Sequence, residues 1–196
     1  MVLGIRMGML WALQDFLGTF RRVMDYLNIL KTDVAKWNSL CLQKVDLRRA
    51  DLNNADLRHA DLRRANLRDA SLIGANLSYA NLSYANLEDA ILSHADVERA
   101  NLMDANLCGA DLESANLEGS NLSGADLEDA YLEDANLREV DLRAANLNGA
   151  NLRYAKLEGA DLTHSCLPLR CSTRGMKVDR KQKEWLQDMI DSLIVV

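Results

Sequence analysis

Three histidines and four cysteines are the side chains of this 196-residue chain best suited to move protons, attack a substrate or ligate a metal. His59, His94 and His164 stand far apart, and no nucleophile is spaced to pair with any of them, so neither acid–base catalysis nor a metal site follows. Among Cys41, Cys108, Cys166 and Cys171 only the last two are close in sequence, and no partners complete a zinc-ligand spacing. They read as reduced, structural thiols. Asn-Leu-Ser recurs at 76–78, 81–83 and 121–123, where the glycosylation sequon is a by-product of repetition. The carboxylates offer more. Asp and Glu number 29 against 23 Lys and Arg, and they recur as the pairs Glu88-Asp89, Glu128-Asp129 and Glu133-Asp134. Their chemistry is electrostatic: a negative surface that attracts a basic partner.

The framework that positions these pairs is a repeat. From Val45 to His164 the chain divides into 24 consecutive five-residue units of the form Ala-(Asp/Asn)-Leu-x-x, without insertions. The first residue is Ala except at Val45, Ser120 and Val140, and the third is Leu except at Val97. Weaker units flank the array, at 40–44 and 165–169. A five-residue period smears leucines around an α-helix and sends them to alternate faces of a strand. It makes sense when five residues are one extended piece plus a corner, and four such sides close a square coil that stacks on the next. Six of the ten glycines, at 74, 109, 119, 124, 149 and 159, hold the fifth position, as do Asn54, Asp69, Asp89, Asp104, Asp129 and Asp134. That is the chemistry of a type II turn, whose second central residue has positive φ. Arg, Tyr and His at other fifth positions imply a different turn there.

These residues resemble the pentapeptide-repeat family. The resemblance implies an all-β solenoid, a right-handed quadrilateral β-helix with Ala and Leu inward and the other three positions outward. Six coils at about 4.8 Å give a rod of roughly 30 Å. A core filled by leucine has no room for substrate or cofactor, so the expected protein is not an enzyme and needs no cofactor or metal.

A stacked rod exposes apolar core and backbone at both ends and needs caps. The expected organisation is an N-terminal helical cap at 1–39, the solenoid at 40–169 and a C-terminal segment with an amphipathic helix at 170–196. Upstream, Leu10, Leu13, Phe16, Leu17, Phe20, Met24, Leu27 and Leu30 recur at helical spacing. The run 34–38, ending Trp37-Asn38, is similar to an element found ahead of the repeats in bacterial members of the family. Downstream, Pro168 and Gly175 mark a break, and Asp179 with Gln182 reads as a capping box. Trp185, Leu186, Met189, Ile190 and Leu193 then form an apolar stripe that caps the rod or makes a homodimer through its end. No stretch is long and apolar enough for a membrane span, and no signal-peptide pattern opens the chain, which points to the cytoplasm.

The net charge of −6 is unevenly spread. Residues 1–44 carry +3 and 165–196 carry +2, whereas 85–104, 105–124 and 125–144 carry −4, −3 and −5. Glu88, Asp89, Glu128 and Asp129 fall in one column, with Glu133 and Asp134 round the next corner. The expected function is a non-catalytic protein-interaction module or scaffold presenting an acidic rod. The alternative, drawn from family members that protect bacterial topoisomerases, is a DNA mimic that binds a type II enzyme such as gyrase. Leucine at nearly every central position and the absence of loops set this chain apart from those members. Direct nucleic-acid binding is disfavoured by the charge.

Overall fold

The structure is a computed structural model that describes residues 24–42, 44–166 and 173–184. Parallel bridges join residues twenty apart, from Asp46–Asn66 to Asn146–Cys166, so four five-residue units complete each turn of a coil. Each side contributes one bridging residue to the ladder rather than a longer strand. The four faces are here lettered by their first units: A from 45–49, B from 50–54, C from 55–59 and D from 60–64.

Every unit turns its corner in one way. The N–H of each first-position residue donates to the carbonyl of the preceding third position, as in Ala50 to Leu47 at 3.0 Å. The fifth residue has positive φ in all 24 units, with Arg49 at 57°, Tyr79 at 61° and His94 at 59° alongside the glycines. Fourth-position residues do not, which is the sign pattern of type II. The expectation of a second turn type at bulky corners is therefore corrected. The stacked ladder imposes one conformation, and burial of a leucine per unit, about 1.5–3 kcal/mol, outweighs the cost of left-handed backbone at about 1–2 kcal/mol.

The backbone hydrogen bonds also explain the second position. Third and fifth N–H groups donate to the next coil (Leu47 to Asn66 O, Arg49 to Arg68 O), and second N–H groups to the previous one (Asn66 to Val45 O). With the turn bond, that leaves only the fourth N–H. The side-chain Oδ1 of the second residue accepts it, from Arg48 to Asp46 at 3.2 Å through Ser123 to Asn121 at 2.9 Å to Thr163 to Asp161 at 3.0 Å. Asp and Asn serve equally because only the oxygen is needed.

The interior is a continuous stack of leucine and alanine, with central leucines such as Leu52, Leu87 and Leu117 fully buried. At the N-terminal end, helix α1 (24–32) and helix α2 (Val34–Ser39) lie against the first coil. Of the upstream apolar stripe, Leu30 is buried, Leu27 is partly buried against the core and Met24 is exposed; Leu10 to Phe20 lie outside the described residues. Asp33 caps α2 by accepting from Lys36 N at 2.8 Å.

At the other end the register resumes one residue out of step. Lys156 bridges Lys177, and Tyr154 N donates to Arg174 O. Gly175, with φ +73°, occupies a corner closed by Met176 N to Thr173 O. The break expected at Gly175 is thus a further corner of the rod. Helix α3 begins at 180, and Asp179 and Gln182 form the reciprocal capping box, Gln182 N to Asp179 Oδ1 at 2.9 Å and Asp179 N to Gln182 Oε1 at 2.8 Å.

Candidate functional site

The twenty-residue register assigns every surface residue to a face, and it shows that the acid is one-sided. On face A, residues 85–89 and 125–129 carry −2 and −3; on face B, 110–114 and 130–134 carry −2 each. These two adjacent faces hold nine of the twelve net negative charges in 85–144, leaving three for faces C and D. Face D carries a net charge of −1 there, from Asp104, since Asp141 is paired with Arg143; Asn101, Met103, Asn121 and Ser123 are among its other outward residues.

Glu88 and Asp89 lie two coils above Glu128 and Asp129 on face A, with Cys108 between them. Glu133 and Asp134 stand on face B, across the corner that Asp89 and Asp129 occupy. Arg68 moderates the upper pair, at 3.2 Å from Glu88 and 3.6 Å from Asp89, and Arg153 reaches Glu133 at 3.9 Å. Among the described residues no cation forms an ion pair with Asp129 or Asp134 (the lower pairs are the less compensated). Trp185, Leu186, Met189, Ile190 and Leu193 lie outside the described residues.

Corner glycines fit the carboxylates of the coil above. A Cβ on Gly109 would stand 2.6 Å from Asp89 Oδ1, and one on Gly149 would meet Asp129 Oδ1. The alternation Asp89, Gly109, Asp129, Gly149 down one corner gives each acid its space.

Burial raises the Cys108 thiol pKa above its ordinary value, and the carboxylates of Asp126, Glu128, Glu88 and Asp129 raise it further. The thiol stays protonated, which suits a packed side chain rather than a nucleophile. The histidines lie on separate faces, His59 on C, His94 on B and His164 on D, with His59 stacked on Tyr79 at 5.3 Å. Among the described residues no group of three or more His, Cys, Asp or Glu is placed to hold a metal, and no helix is long and apolar enough to cross a membrane.

Two family models match this surface framework: a pentapeptide repeat region over 45–122 and pentapeptide repeats in eight copies over 130–167. Together they cover more than half the chain. The chain belongs to the pentapeptide-repeat family. It is 33% identical to HetL, a pentapeptide repeat protein involved in heterocyst differentiation regulation from the cyanobacterium Nostoc, over 69% of this chain and 71% of HetL, with a TM-score of 0.43. A similar match, 33% identity over 60% of this chain and 63% of the other with a TM-score of 0.40, is to Rfr23 of the cyanobacterium Cyanothece. QnrB1, a plasmid-mediated fluoroquinolone resistance protein, matches at 18% identity over 72% of this chain and 83% of its own, with a TM-score of 0.46. No curated protein matches.

What sequence reading missed is the division of labour among the acids. Second-position Asp is a structural acceptor, so the charges free to meet a partner are those at fourth and fifth positions. The signal was present: Asp and Asn interchange freely at the second position, which a purely electrostatic role would not allow.

Proposed function

We propose that this protein is a non-catalytic interaction module, a right-handed quadrilateral β-helix whose acidic ridge along faces A and B receives a protein partner in the cytoplasm. The observation that supports it is the confinement of charge: solubility alone is served by acids spread over four faces, whereas nine of twelve on two adjacent faces make a directional field. The ridge column Asp89, Glu128, Asp129 and its neighbours Glu133 and Asp134 stand on a rigid ladder, so little order is lost when a partner docks. Affinity capture from the native host tests this, comparing wild type with Glu128→Lys/Asp129→Lys/Glu133→Lys/Asp134→Lys. A partner retained by wild type and lost by the variant, with unchanged circular dichroism, supports the reading. Equal retention overturns it.

The same ridge supports a second reading, a DNA mimic that occupies the basic groove of a type II topoisomerase, because the acid pairs Glu88-Asp89 and Glu128-Asp129 recur along one face of the rod, two coils apart. A supercoiling assay with purified gyrase discriminates. Salt-sensitive protection or inhibition favours the mimic, and no effect at micromolar protein excludes it.

A further inference from the structure

Of the 24 second positions, 20 are Asp or Asn and all 20 satisfy a fourth-position N–H. The exceptions are Ser71, Ile91, Tyr131 and Lys156, and the first three lie on face B. At Ser71 the loss is repaired, since Asn53 Oδ1 from the coil above accepts from Ile73 N at 2.9 Å. At Ile91 and Tyr131 it is not: among the described residues none accepts from the N–H of Ser93 or Glu133. Both side chains also remain in solvent, Ile91 38% and Tyr131 57% exposed, with Ile73 at 39% on the same face. The fold therefore leaves a large part of each apolar side chain in solvent at these positions and forgoes two hydrogen bonds. Departures of that kind from an otherwise uniform local rule mark surfaces kept for another purpose.

The setting of the two is the same. Leu87–Leu92 reads Leu-Glu-Asp-Ala-Ile-Leu and Leu127–Leu132 reads Leu-Glu-Asp-Ala-Tyr-Leu, forty residues and so two coils apart on one column. Each apolar side chain is bordered by the corner acids Asp89 or Asp129 on one side. Glu113, Glu133 and Asp134 lie along the same face.

We propose that face B is a docking surface for a basic amphipathic protein segment, with its apolar side chains on Ile73, Ile91 and Tyr131 and its cations on the bordering carboxylates. This rests on the reading of the acidic ridge as a protein receptor and specifies the partner's chemistry. Charge complementarity selects the occupant: an acidic partner, nucleic acid included, meets the carboxylates of Asp89, Glu113, Asp129, Glu133 and Asp134. From the coil of Ile73 to that of Tyr131 is three steps of about 4.8 Å, a distance an α-helix spans in about ten residues. Ile91 and Tyr131 are two steps apart, close to the i to i+7 repeat of one helical face.

The test uses the full chain and three dye-labelled 18-residue peptides, read by fluorescence anisotropy. One is a Leu/Lys peptide with leucines at helical spacing, one the same composition scrambled, and one a Lys/Ser peptide of equal charge. The amphipathic peptide is expected to bind at least tenfold more tightly than either control. Ile91→Asn/Tyr131→Asn should weaken it at least tenfold while keeping the melting temperature, because Asn restores the missing acceptors. Glu113→Lys/Glu133→Lys should weaken it as well. Affinity of the Asn variant within twofold of wild type, or equal binding of the Lys/Ser peptide, overturns the docking surface. Binding that needs the carboxylates but not Ile91 and Tyr131 does so while leaving the interaction module intact, and binding indifferent to both overturns the two together.

Discussion

The indole Nε1 of Trp37 donates to the carbonyl of Asp61 at 2.8 Å, where the ladder of a further coil would have placed the amide of residue 42. Its neighbour Asn38 completes the imitation, accepting from Asp61 N at 2.8 Å where the carbonyl of residue 40 would have stood, and adds a bond to His59 O at 2.9 Å. Two side chains of a six-residue helix thus present the first coil with one donor and one acceptor of a peptide edge. Asn38→Ala should leave Asp61 N–H without its acceptor and cost about 1–3 kcal/mol. Chemical denaturation measures it, and the loss should appear with the helical and solenoid signals together.

Gln182 plays the matching part at the far end, its Nε2 donating to the carbonyls of Leu157 and Ala160, the latter at 2.9 Å. Gln182 is buried, and its Oε1 is held by Asp179 N. Gln182→Leu should free two carbonyls and lower stability by about 1–3 kcal/mol. Faster amide hydrogen exchange confined to the last coil would show that the effect is local.

Ser120 occupies an inward first position where alanine is the rule, is 1% exposed, and its Oγ has no hydrogen-bond partner among the described residues. Ser120→Ala removes a buried polar group without leaving a void. It should stabilise the rod by about 1 kcal/mol, read as a raised melting temperature.

Ala144 sits at a corner with φ +56°. Ala144→Gly should stabilise by about 0.5–1 kcal/mol, the left-handed strain relieved less the added chain freedom. Gly149→Ala should do the opposite, since its Cβ also displaces the Asp129 carboxylate. A matched pair of thermal melts checks both signs.

The side-chain hydrogen bond from Arg58 holds the Asp56 carboxyl down at about 2, and Arg48, Arg63 and Arg143 lower Asp46, Asp61 and Asp141 in the same way. A depressed native pKa contributes stability above the unfolded value near 3.9 and loses it as pH falls through the native one. Wild type and Arg58→Gln should therefore differ above about pH 4 and converge near pH 2. The difference is small, because the pair is exposed. Stability measured in denaturant across that pH range is the check.

The five-residue period by itself determined the coil, its inward leucines and the need for corners, because no helix or strand accommodates that spacing. Asp179 and Gln182 announced their capping box in sequence, since its bonds are local. The tertiary structure alone decided what depends on stacking. Tyr79 and His94 share the glycine corner because the coils on either side hold the backbone there. The second-position acids became acceptors because the ladder leaves one N–H per unit unserved. Trp37 and Asn38 became a counterfeit coil edge only once Asp61 was brought beside them. Charge that looks like a band of acidic coils along the chain is a ridge on two faces in space, because neighbours on a face are twenty residues apart. Ile91 and Tyr131, forty residues apart in the chain, lie on one line for the same reason.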